Sequence, residues 1–110
     1  MPAAHPQPDR RVAPRFQPAH WTLYRLKPCP GEPGTVGLVW NISRTGVSLF
    51  LATSPEPGAS FEGELVADGW GLPVALRVVH IGMAQTGDYV VGARFTRQLD
   101  QDELDLFLAP

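Results

Sequence analysis

A chain of 110 residues suits one domain with a single core and is marginal for two. Hydrophobic residues make up 44% of it, and 11 Gly and 12 Pro favour many short strands joined by turns over long helices. The formal net charge is −2 but unevenly placed: residues 1–27 hold five basic side chains and one acid, residues 28–110 four basic side chains and ten acids. This excludes the broad basic surface that a long nucleic acid needs, and leaves room for a compact ligand with few phosphates. Cys29 is the only cysteine, so no intrachain disulfide forms and an oxidising compartment gains no support. No run approaches the roughly 20 apolar residues of a membrane span. The expectation is a soluble, cytoplasmic protein, monomeric or dimeric, without membrane insertion.

Residues 1–9 contain Pro2, Pro6 and Pro8 and no apolar period, which predicts a flexible leader ahead of a domain over 10–110. Arg10, Arg11 and Arg15 follow in an extended, Pro-containing arm. Guanidinium is planar, permanently charged and forked, so it matches phosphate oxygens and the acceptor edge of guanine, and it stacks on purine faces. A first strand is predicted over 20–26, ended by the Pro/Gly-rich loop at 28–34.

Strand two is expected over about 35–43 and strand three over about 46–52, joined by the turn Asn41-Ile42-Ser43-Arg44-Thr45-Gly46. Alternation places Val36, Leu38, Trp40 and Ile42 on a core face and projects Asn41 and Ser43 outward as an amide and a hydroxyl. Gly46 is read as the residue that permits a positive φ. Arg44 is solvated or assists an anion.

Strand four is read over 59–67, with Phe61, Gly63, Leu65 and Ala67 on one face and Glu62 and Glu64 on the other. A tight turn at Asp68-Gly69-Trp70-Gly71 leads into strand five over 72–82, where Leu72, Val74, Leu76 and Val78 oppose Arg77. Strand six runs over about 88–96, with Tyr89, Val91, Ala93 and Phe95 inward. Six short antiparallel strands with one apolar face favour closure into a barrel, which removes the edges. At the C-terminus Asp100 as N-cap, Glu103 three residues on, and Leu99 with Leu104 as a staple predict a short helix that is stable only when packed on the barrel.

The ordered pair Arg-Arg-x-x-x-Arg (10–15) and Asn-x-Ser-x-x-Gly (41–46), with Val91-Gly92-Ala93-Arg94-Phe95 near the end, resembles the PilZ family. The resemblance runs from about Asp9 to the C-terminal helix. It implies a six-stranded antiparallel β-barrel with a short C-terminal α-helix that binds the bacterial second messenger cyclic di-GMP. By the same resemblance, Arg10, Arg11 and Arg15 would hold phosphates and guanine edges or faces. Asn41 and Ser43 would hydrogen-bond guanine or phosphate oxygens, and Gly46 would shape the turn. It also implies that residues flanking the arginine motif, here Asp9, decide between one bound ligand and a stacked pair. The expected function is a non-enzymatic receptor whose arm closes over the ligand and signals to a protein partner in trans.

The bland alternatives are a solubilising basic tail and ordinary turn chemistry. From other classes stand a PilZ-like adaptor that binds protein and no nucleotide, and an OB-like barrel for single-stranded nucleic acid, against which the acidic remainder argues. No acid, base and nucleophile set converges: Cys29 sits between two prolines with no orienting acid. His5, His20 and His80 have no Cys or His at ligand spacing, so no metal or cofactor is expected. His80 is read as core-facing, and Trp21, Trp40 and Trp70 as packing or turn cover, with Trp40 beside a purine as the functional reading.

Overall fold

The computed structural model describes residues 14–27 and 35–108. The leader, Arg10, Arg11, Cys29 and the 28–34 loop lie outside the described residues. Among the described residues eight strands and one helix follow in order: β1 Leu23–Leu26, β2 Thr35–Ile42, β3 Gly46–Leu51, β4 Ser60–Phe61, β5 Gly63–Ala67, β6 Trp70–Pro73, β7 Leu76–Met83, β8 Tyr89–Phe95 and α1 Gln101–Leu108. All pairings are antiparallel, in the sheet order β4-β7-β8-β3-β2-β1-β5-β6.

The expected count of six strands is corrected to eight, because strands four and five each break once. The break does not disturb their mutual register. Ser60 faces Arg77, Phe61 faces Leu76, Glu64 faces Pro73 and Ala67 faces Trp70, all in one continuous hairpin. Its far half pairs through β5 with β1, and its near half pairs through β7 with β8, so the ladder returns to its start. Closure therefore comes from a bend in a long hairpin, which lets one strand pair serve both flanks.

Tyr24 occupies that bend. Its hydroxyl donates to the Val74 carbonyl at 2.7 Å, while the Val74 amide donates to the Gly63 carbonyl at 3.1 Å. A Cβ at Gly63 would lie 2.8 Å from the Tyr24 hydroxyl and would collide with the Arg25 carbonyl, so a glycine is required there. Burial, with Glu62 adding to it, raises the Tyr24 pKa well above the usual tyrosine value, so the phenol stays protonated and keeps donating. The hairpin turn is Asp68-Gly69, both at positive φ (49° and 81°), the pattern of a type I′ turn.

The inward residues of β5, β7 and β8 are those the alternation predicts: Leu65, Ala67, Leu76, Val78, Val91, Ala93 and Phe95 are buried. Strand β2 departs from it. Its register with β3 shifts between Val39 and Asn41, making Trp40 the extra residue of a β-bulge. Val39 and Ile42 are consequently buried, whereas Val36 and Trp40, expected in the core, are 48% and 50% exposed. A second bulge between Val78 and His80 turns His80 outward, correcting its core-facing expectation.

Helix α1 covers the end of the barrel where β2 meets β3 and β5 meets β6. Leu104 and Phe107 are buried, and the Phe107 ring lies 4.8 Å from that of Trp70. The Phe107 carbonyl accepts from the Ala19 amide, and the Leu99 amide donates to the Arg44 carbonyl. The helix starts with the predicted capping box: the Glu103 amide donates to Asp100 Oδ1 at 2.8 Å and the Asp100 amide to Glu103 Oε1 at 3.0 Å. Arg97 adds a bidentate contact to Glu103, 2.8 Å at each oxygen. Among the described residues, no helix is long and apolar enough to cross a membrane, and no group of three or more His, Cys, Asp or Glu is placed to hold a metal.

Gly46 does not have positive φ; among the described residues the glycines that do are Gly58, Gly69 and Gly87. What it provides is a close approach of β3 to β8, since a Cβ there would collide with the Ala93 carbonyl oxygen. Gly46→Ala is therefore expected to destabilise the fold by about 1–3 kcal/mol in denaturant titration, through overpacking against backbone. Gly82→Ala, where nothing lies within 3.8 Å, is expected to be nearly neutral by comparison. Arg97 and the Asp100 amide also lower the Glu103 pKa from 4.5 to about 2. Because the folded value is depressed, the stabilisation is complete above about pH 4.5 and is lost as pH falls towards 2. The gap in melting temperature between wild type and Glu103→Gln should accordingly close over that window.

Candidate ligand site on the outer face

The arm enters the fold at its last arginine. Phe16 pairs with Ile42 through two backbone hydrogen bonds, amide to carbonyl in each direction at 2.8 Å, which lays the arm along the end of β2. Arg15 is thereby delivered to the outer face. Its Nη1 donates to Asn41 Oδ1 at 2.8 Å and to Ser48 Oγ at 3.2 Å. Asn41 and Ser48 are register partners across β2 and β3, and partners share a sheet face. The bulge at Trp40 is what leaves Asn41 on the outside while its neighbour Ile42 is fully buried.

Ser43 is placed differently from its expectation. It is fully buried, and its Oγ accepts from the Thr45 and Gly46 amides at 3.2 Å each. The hydroxyl is thus engaged in the turn and does not stand outward beside Asn41, because the strand has ended at Ile42 and alternation no longer governs the next residue. Arg44 is also structural: its Nε donates to the Leu99 carbonyl at 3.2 Å, tying the turn to the start of α1. Of the six residues singled out in the sequence, Arg15 and Asn41 meet, Ser43 and Gly46 build the turn beside them, and Arg10 and Arg11 lie outside the described residues. Sequence reasoning missed Ser48. The signal was present, since Ser48 follows Gly46 by two positions and faces Asn41 once the two strands are folded back at the turn.

Next to this polar group lies an aromatic one. Trp40 and Phe50 make an edge contact with ring centroids 5.7 Å apart, and Trp21, expected in the packing, is 81% exposed. Together the face offers a cation, an amide, a hydroxyl and exposed rings, a set suited to a phosphorylated aromatic ligand.

No protein-family model matches the chain, and no curated protein matches it. Solved structures do. MrkH of K. pneumonia in complex with c-di-GMP matches with a TM-score of 0.69 and 18% identity, over 90% of this chain and 49% of that chain. YcgR of Escherichia coli in complex with c-di-GMP matches with a TM-score of 0.66 and 15% identity, over 89% and 42%. The PilZ domain of YcgR with c-di-GMP matches with a TM-score of 0.65 and 13% identity, over 90% of this chain and 86% of that one. The chain thus spans about half the length of MrkH and YcgR, and most of the isolated domain. The described residues form a PilZ-like domain.

Proposed function

We propose that this protein is a cyclic di-GMP receptor with no catalytic role of its own. Arg10, Arg11 and Arg15 on the arm close over the ligand against the β2–β3 turn, with Asn41 presenting its amide and Ser43 and Gly46 holding the turn in shape. The observation that carries the reading is the Arg15 contact to Asn41 and Ser48: the two motifs, 26 residues apart between Arg15 and Asn41, meet on one face. The likeness in fold to proteins solved with c-di-GMP adds to it.

The ligand must displace or share the bonds that Arg15 makes with Asn41 and Ser48, so occupancy changes how the arm lies on the barrel. A protein partner in trans that reads the arm and the adjoining face would sense that change. A second reading is a protein-binding adaptor indifferent to nucleotide. The exposed Trp21, Trp40 and Val36 favour it, because apolar side chains grouped at a surface mark contact sites.

Calorimetric titration with cyclic di-GMP, with GTP as control, separates the two. Saturable binding specific to the cyclic dinucleotide is expected, in the cytoplasmic setting where such a messenger acts. Arg11→Ala and Arg15→Ala should each weaken it at least about tenfold, since a charge-assisted hydrogen bond contributes about 1.5–3 kcal/mol, while the melting temperature stays nearly unchanged. Unaltered affinity in both variants, or no binding by the wild type, would sink the receptor and leave the adaptor.

A further inference from the structure

Arg77 on β7 and Arg94 on β8 are direct register partners, and both are exposed. Partners in an antiparallel ladder share a face with their Cβ atoms about 4.5–5.5 Å apart, and like charges so placed repel. Elsewhere the barrel matches its cross-strand cations with acids. Arg25 faces Glu64 in register with an ion pair at 3.2 Å, and Lys27 lies 3.7 Å from Glu62. Among the described residues neither Arg77 nor Arg94 has a hydrogen-bond or ion-pair partner. The two guanidiniums line a groove of about 640 Å³ with Val79 and Thr96, and no carboxylate contributes to its lining.

The position of this pair matters as much as its charge. Arg94 is the register partner of Gly46, and two residues along β8 from it Gly92 partners Ser48, the residue that Arg15 touches. Residues two apart on a strand face the same way, about 7 Å from each other. Gly92 has no side chain of its own, and the outward His80 stands beside it as its register partner on β7. Arg94, Ser48, Asn41 and Arg15 therefore share one outer face, with the arginines at its two sides.

We propose that Arg77 and Arg94 form a second anion site, independent of the arm, that binds a phosphate or phosphodiester group bidentately. Such a group resolves the repulsion between the two guanidiniums and offers oxygens to both forks. On the reading proposed above, which this source of the phosphate rests on, the group is a phosphodiester of cyclic di-GMP bound across the face. The face then holds anions at both sides, and the arm alone does not account for affinity or stoichiometry.

The test uses the full chain and the double variant Arg77→Gln/Arg94→Gln. Removing a like-charge pair should leave the melting temperature of the free protein equal to or above that of wild type, which controls for folding. Calorimetry with cyclic di-GMP should show at least about tenfold weaker binding or a halved stoichiometry in the double variant, with a shallower dependence on salt. A parallel titration with inorganic pyrophosphate, followed by NMR at the arginine Nε–H groups, reads the site without the nucleotide. Saturable shifts of Arg77 and Arg94 that persist in Arg15→Ala support it. If wild type binds pyrophosphate there but ignores cyclic di-GMP, the receptor reading falls and the anion site stands. If pyrophosphate shifts neither arginine and the double variant binds cyclic di-GMP as wild type does, or no variant binds it at all, the site is overturned.

Discussion

The hydroxyl of Ser43 is small, fully buried and central to the whole end of the barrel. By accepting from the amides of Thr45 and Gly46 it folds the chain back within two residues. That turn exposes the Arg44 and Thr45 carbonyls to elements far along the chain: Arg44 accepts from Leu99 and Thr45 from Phe95. The register of β2 with β3, the end of β8 and the start of α1 are therefore set against one turn. A buried hydroxyl with satisfied bonds is stabilising, whereas one stripped of them costs more than the bond was worth, so this end tolerates little change.

The arm exploits that rigidity. Phe16 needs only the free backbone edge at Ile42 to dock, through two hydrogen bonds. Bonds of this kind contribute about 0.5–1.5 kcal/mol each in net terms, and Arg15 adds its contacts to Asn41 and Ser48 to them. The turn fixes where Asn41 and Ser48 stand, and Phe16 and Arg15 dock against them.

Two bulges decide what the outer face presents. At Trp40 the extra residue lets Val39 and Ile42 both point inward while Asn41 faces out; at Val79 the same device turns His80 outward beside Gly92. In each case an extra residue reverses the alternation downstream, so half a strand obeys the simple pattern and half obeys its inverse. On that outer face the ring of Trp40 meets that of Phe50, beside Asn41 and Arg15.

What the sequence determined by itself was everything encoded within a few residues: the strand periods of 59–78 and 88–96, the Asp68-Gly69 hairpin, the capping box of Asp100 and Glu103, and the two motifs whose meeting at Arg15 and Asn41 defines the candidate site. These rest on alternation, backbone preference and short-range hydrogen bonding, which neighbours in sequence suffice to specify. The tertiary structure alone decided the rest. The breaks near Glu62 and Val74 exist because Tyr24, 50 residues from Val74, reaches across the barrel to that bend. Gly46 is glycine because Ala93 approaches it, and Ser48 joins Arg15 because β3 lies beside β2. Each of these depends on a partner distant in the chain, and local pattern carries no information about where a distant strand will lie.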